Sequence, residues 1–291
     1  MMAFKLVMTS VFWGGSFIAG KIAAQAMPLM AAAFGRFVVA CVLLVLVAFR
    51  FEGGLPRLNR AQLLITAALG LTGIFLYNVF FFGALARIPA GRTALFIALN
   101  PVATAMAASL VLRDRLNGKQ WLGIAIAMLG AVIVIVRGDF SGALHDISQS
   151  FGMGETMICF AVLSWVCYTL ISRKAMASLS PIAATTYASL WGLLFLAAGA
   201  AGDIVSLDWA GLSWQVWVSL FYVGALGTVA AFIWYYQGIQ SVGPARTAVF
   251  TNLVPVAAVL LSALILDEPI LISMLVGGAL CILGVSLTNR R

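Results

Sequence analysis

Charge is scarce in this 291-residue chain: Lys, Arg, Asp and Glu together make up 9% of it, and only nine residues are acidic. A soluble globular domain carries about 25% charged residues. A water-soluble fold of this length could not hide the 63% that are hydrophobic, because much of any folded surface stays in water. Intrinsic disorder demands the opposite composition. Histidine occurs once, at His145. The four cysteines, Cys41, Cys159, Cys167 and Cys281, each sit alone in a long apolar stretch, without the CxxC spacing of zinc or redox sites. No Walker A sequence is present, so ATP does not drive the chain directly. No acid falls at mid-span, Glu155 near the end of one stretch being the nearest. A membrane enzyme would need clustered His, Asp or Glu at membrane depth, and proton-coupled carriers commonly use one such residue. These absences imply no cofactor, no metal and no enzyme, and favour facilitated diffusion, exchange, or coupling without a dedicated carboxylate.

What is abundant is apolar sequence in long runs. Crossing about 30 Å of hydrocarbon takes roughly 20 residues, and ten stretches qualify: 3–22, 29–49, 61–86, 91–112, 119–136, 152–172, 182–201, 214–238, 244–266 and 270–288. The first, with Lys5 ahead of it and Ala24-Gln25-Ala26 behind, imitates a signal peptide. Trp13, the pair Gly14-Gly15 and the interrupting Lys21 favour a membrane span instead. The expected fold is an all-α polytopic membrane protein of ten transmembrane helices. With the N-terminus inside, 12 of the 17 basic residues fall in cytoplasmic loops and tails, as the positive-inside rule favours. Both termini are then cytoplasmic. The net charge of +8 is membrane topology rather than a nucleic-acid footprint.

The chain also repeats itself at an offset of 154. Residues 92–130 and 246–284 share 14 of 39 aligned positions, among them Arg92/Arg246, Phe96/Phe250, Pro101/Pro255, Gly123/Gly277 and Gly130/Gly284. Weaker matches pair Trp13 with Trp165, Lys21 with Arg173, Pro28 with Pro181 and Gly83 with Gly238. Each half (1–137 and 152–291, joined by an extracytoplasmic connector at 138–151) holds five spans. An odd number turns the second half upside down, giving a 5+5 inverted repeat. Such repeats mark secondary transporters, with substrate held near the midplane between the halves.

Phe12-Trp13-Gly14-Gly15-Ser16-Phe17 in the first span, Arg36-Phe37 in the second, Asn100-Pro101-Val102 leading to Leu112-Arg113-Asp114-Arg115, and the echo Pro255-Val256 leading to Leu266-Asp267-Glu268 resemble the EamA-type drug/metabolite transporters over nearly the whole chain. Within that superfamily the likeness is nearest to bacterial amino-acid and metabolite exporters of the inner membrane. The resemblance implies a central cavity formed by helices 1–4 and 6–9, with helices 5 and 10 peripheral. One departure is that Val254 stands where the first half has Asn100, with Asn252 two residues earlier.

Candidate transport residues follow from polarity at depth. Pro101 and Pro255 each remove a backbone N–H near mid-span, giving a hinge or a packing kink. Asn100 and Asn252 bind substrate or staple helices. Tyr77, Asn78, Phe96 and Trp234, together with Trp13, Trp165 and Tyr168, either supply an aromatic, amide-bearing wall suited to aromatic or neutral amino acids, or to organic cations by cation–π contact, or face lipid and pack between helices. Arg36 alone lies well inside a span, where a charge is a functional hypothesis. It receives a substrate carboxylate or serves as a structural fixture, the latter favoured by its place near the outer end. Arg92 and Arg246 read as terminus anchors or gates. Gly123, Gly130, Gly277, Gly278 and Gly284 suit close helix contact, within the chain or at a homodimer seam through helices 5 and 10. The expected partners are thus a small metabolite, the lipid bilayer and a second copy. The competing readings are a multidrug, organic-cation or nucleotide-sugar carrier, a channel, or a membrane enzyme.

Overall fold

The structure, a computed structural model, describes residues 2–111, 117–135, 151–242, 250–251 and 253–288. Among these every regular element is helical, the expected outcome where lipid offers backbone groups no partner. In chain order they are α1 (Met2–Ala26), α2 (Leu29–Glu52), α3 (Arg60–Leu69) continued by a π-helical stretch (Gly70–Leu76) into α4 (Tyr77–Leu85), α5 (Ala90–Ile97), α6 (Asn100–Val111) and α7 (Gly118–Ile135). Then come α8 (Met153–Ala175), α9 (Pro181–Gly199), the short α10 (Ala201–Ser206), and α11 (Trp214–Phe221) continued by a second π-helical stretch (Tyr222–Ala230) into α12 (Ala231–Val242). The last are α13 (Leu253–Leu266) and α14 (Ile272–Thr288).

Six of these rods are long and apolar enough to cross a membrane, and three shorter apolar helices accompany them. The stretch expected at 91–112 is instead two helices, α5 and α6, parted at residues 98–99 just before Asn100-Pro101. A proline that withholds its N–H from the preceding turn accounts for a break there. Most of the 138–151 connector, with His145, lies outside the described residues. Large apolar side chains such as Leu46, Phe49, Leu64, Leu122, Leu264 and Leu275 are exposed on the outer surface of the bundle. In water that would be a liability; in lipid it is the solvated face.

Local signals set the helix ends. Asn59 and Gln62 exchange reciprocal backbone–side-chain bonds (2.9 and 3.0 Å) at the start of α3, and Asn117 and Gln120 do the same before α7. Each pair satisfies amides that the first helical turn leaves orphaned. α2 stops at Gly53, whose φ of 72° is open to glycine and whose N–H returns to the Ala48 carbonyl.

Small residues let the rods approach closely. Ala31, Ala32, Ala33, Ala40 and Ala48 of α2 are fully buried, and α2 packs on α9. α1 packs on α12 and α13, while α8 packs on α4, α5 and α6. α7 and α14 lie along each other with the Gly130 and Gly277 backbones in contact, each occupying the space a Cβ on the other would need. Gly284 meets Gly123 and Ala127 in the same way. Gly130, Gly277 and Gly284 therefore serve close packing inside the chain, one of the two roles considered for them above.

Candidate functional site

At the centre of the bundle a cavity of about 390 Å³ is walled by α1, α2, α4, α5, α6, α8, α9, α12, α13, α14 and both π-helical stretches. Its aromatic lining is cross-braced. The Trp13 indole Nε1 donates to the Gly227 carbonyl at 3.0 Å, and its ring meets Phe232 edge-on at 5.8 Å and Tyr235 at 5.4 Å. Opposite, Trp165 lies 5.3 Å from Tyr77 and 5.2 Å from Tyr168. Rings fixed by several neighbours offer a rigid apolar slot at little entropic cost on binding.

Arg36 is the single charged residue among the described residues lining the cavity. Its Nη1 donates to Asn78 Oδ1 at 2.9 Å and its Nη2 to Thr228 Oγ1 at 3.0 Å, and its guanidinium carbon sits 5.0 Å from the Phe37 ring centroid. Asn78 is held in turn, its Nδ2 donating to the Ile74 carbonyl at 2.7 Å. Thr228 donates to the Val223 carbonyl at 2.9 Å, five residues back, within the second π-helical stretch. The wider π turn thus contributes directly to the seating of Arg36, and such turns recur at functional sites. Gly224 makes room for the approach, because a side chain there would strike the Arg36 carbonyl. The expectation of a fixture bonded to helix-terminal carbonyls is corrected: the partners are side chains of α4 and of the second π-helical stretch, and the guanidinium belongs to the cavity wall. Arg36 Nε, Asn100 Oδ1 and Ser189 Oγ, all buried atoms of lining residues, have no hydrogen-bond partner among the described residues.

A second cluster ties the end of the bundle that the charge distribution assigns outside. Arg92, 3% exposed, pairs with the buried Glu155 at 2.9 Å, and Glu155 also accepts the Gly152 N–H at 3.0 Å. Lys21 lies 3.4 Å from Glu268 and donates to the Ile88 carbonyl at 2.8 Å. Glu268 caps α5 from across the molecule, accepting the N–H groups of Ala90 (3.0 Å) and Gly91 (3.3 Å), where the helix dipole favours an anion.

Six of the nine expected contact residues line the cavity: Trp13, Tyr77, Asn78, Asn100, Trp165 and Tyr168. Pro255 lines it as well. Phe96 does not; it is buried in the apolar core at 4% exposure. Trp234 also lies away from the lining, stacked on Phe12 at 5.4 Å and 28°. Arg92 is no simple terminus anchor, since it is committed to Glu155. Asn252, Arg246 and the side chain of Pro101 lie outside what the structure describes. Sequence reasoning missed Ser16, Thr185, Ser189, Thr228, Phe232, Tyr235 and Thr251, all in the wall.

A signal for those residues existed in the repeat. The lining pairs Trp13 with Trp165, Ser16 with Tyr168 and Phe37 with Ser189 at a spacing of 152. It pairs Gly73 with Gly227, Ile74 with Thr228, Asn78 with Phe232, Phe81 with Tyr235, Ile97 with Thr251 and Asn100 with Val254 at 154. In six of these nine pairs one member carries a polar group and its mate is apolar. Matching positions therefore build the cavity while the chemistry is shared out between them, so a bound molecule meets different groups at its two ends.

Comparison with known proteins bears on what such a cavity does. The model of the EamA-like transporter family matches residues 1–136 and again 152–290. The uncharacterized transporter YyaM of Bacillus subtilis is 28% identical, over 95% of this chain and 89% of its own. A probable terminal-alkyne amino-acid exporter of Streptantibioticus cattleyicolor is 27% identical, over 98% of this chain and 92% of its own. A probable amino-acid metabolite efflux pump of Escherichia coli is 28% identical, over 94% and 90%. A solved crystal structure aligns with a TM-score of 0.65 at 17% identity, covering 98% of this chain and 95% of that one; the likeness is one of fold.

Proposed function

Because the chain belongs to the EamA-like transporter family, we propose that it is a secondary carrier of the bacterial inner membrane. It exports small metabolites, first among them amino acids with aromatic or other neutral side chains, by alternating access. Ten spans cross the membrane as two five-span halves, 1–137 and 152–291, of opposite orientation with both termini cytoplasmic. The observation that carries this reading is the set of nine lining pairs, three at a spacing of 152 and six at 154. A cavity built from matching positions of two halves can open to either side by equivalent movements. The packing supports it: α1 of the first half lies on α12 and α13 of the second, and α8 of the second lies on α4, α5 and α6 of the first.

The amino-acid reading rests on a braced aromatic slot, one cation and a few neutral polar groups in about 390 Å³, alongside relatives named for amino-acid export. A lone arginine with no carboxylate among the described lining residues disfavours organic cations, and one cation is too few for the phosphates of a nucleotide-sugar. Purified protein in liposomes should show saturable counterflow of labelled neutral amino acids but not of nucleosides. Absence of transport across the amino-acid panel would remove the substrate claim, and non-saturating currents in electrical recordings would indicate a channel instead.

A further inference from the structure

The central cavity contains one formal charge and no counter-charge among its described lining residues. Arg36 uses two of its five N–H donors, both on neutral oxygens, and its Nε is unbonded. A guanidinium at membrane depth without a carboxylate is costly. The residue is only half-buried and lines the cavity, so an incoming anion can reach it. A carboxylate there forms charge-assisted bonds, which are roughly twice as strong as neutral ones. An ammonium entering the same cavity meets only neutral side chains and ring faces among the described lining residues, while the Arg36 charge repels it. The two ends of an amino acid are therefore not read equally.

We propose that a free carboxylate is the obligatory feature of the cargo, that Arg36 reads it, and that the amine is dispensable, so the carrier accepts aromatic monocarboxylates as well as amino acids. This rests on the central cavity being the transport site and extends the cargo beyond amino acids. Seating of Arg36 by Asn78 and Thr228 fixes the fork before substrate arrives, so little ordering is needed on binding.

The test uses purified protein and four probes of one shape: phenylalanine, 3-phenylpropionate, phenylalaninamide and phenethylamine. Binding is read by quenching of tryptophan fluorescence, and transport by competition against labelled phenylalanine in counterflow. The expected result is 3-phenylpropionate within about threefold of phenylalanine, and the amide and amine at least tenfold weaker, tenfold being about 1.4 kcal/mol. Arg36→Gln should bring acid and amide within about threefold of each other. The wild-type panel decides alone if that variant fails to fold. Amide or amine competing as well as phenylalanine, or phenylalanine binding while 3-phenylpropionate does not, overturns the proposal and leaves amino-acid export standing. Binding of 3-phenylpropionate without phenylalanine overturns amino-acid export and leaves the proposal standing. Failure of both acids to bind at millimolar concentration overturns both.

Discussion

Among the described residues two arginines lie inside this bundle, and their surroundings differ in one respect. Arg92 pairs with the buried carboxylate of Glu155, itself fixed by a backbone N–H. Arg36 has a neutral amide, a hydroxyl and an aromatic ring. The first arrangement neutralises a charge permanently and joins α5 to α8; the second holds a charge in place and leaves it unneutralised. Within a membrane such a difference separates a structural tie from a binding group, because only the unneutralised cation gains from an arriving anion.

The largest expected effect comes from breaking the tie. Glu155→Ala leaves Arg92 buried without its counter-ion and should cost about 3–5 kcal/mol, seen as a large drop in thermal unfolding temperature and in folded yield from detergent. The double change Arg92→Leu with Glu155→Leu should recover much of that loss. Next is Arg36→Gln, which removes a charge-assisted contact worth about 1.5–3 kcal/mol. It should reduce transport at least tenfold while moving the unfolding temperature less than Glu155→Ala does. An equal loss of stability in both variants would erase the distinction between the two arginines. Gly277→Leu, which forces a side chain into the Gly130 backbone across the α7–α14 seam, should cost about 1–3 kcal/mol by overpacking and leave the substrate preference of the surviving protein unchanged. The smallest effect is expected for Lys21→Met. Its ion pair with Glu268 is long, at 3.4 Å, and Glu268 keeps the Ala90 and Gly91 N–H groups as partners, so the loss should be about 1 kcal/mol, a shift of a few degrees in unfolding temperature.

Much of this was legible in the sequence because a membrane imposes length. The helices α1, α2, α8 and α9 begin and end within a few residues of the apolar stretches that marked them. The aromatic wall was legible through the repeat, Trp13 and Trp165 above all. Arg36 was visible as an intramembrane charge, but its partners were not, since Asn78 and Thr228 lie 42 and 192 positions away. Glu155 was legible only as the acid nearest to mid-span; its pairing with Arg92, 63 positions away, comes from the packing of α5 on α8. Phe96 and Trp234 were misplaced for a plain reason: a helix that is apolar all round does not declare which face meets the cavity. The π-helical stretches left one trace, Gly70 and Gly73 recurring at 154 as Gly224 and Gly227, inside the two stretches where the helix widens.

The most direct test of a central transport site is counterflow of labelled phenylalanine into liposomes bearing equal amounts of folded wild-type, Trp165→Ala or Asn100→Ala protein. If the cavity carries the cargo, wild type transports saturably and both variants fall several-fold while their abundance and unfolding temperatures stay near wild type. Wild-type rates in both variants would contradict it and place the cargo path elsewhere in the bundle.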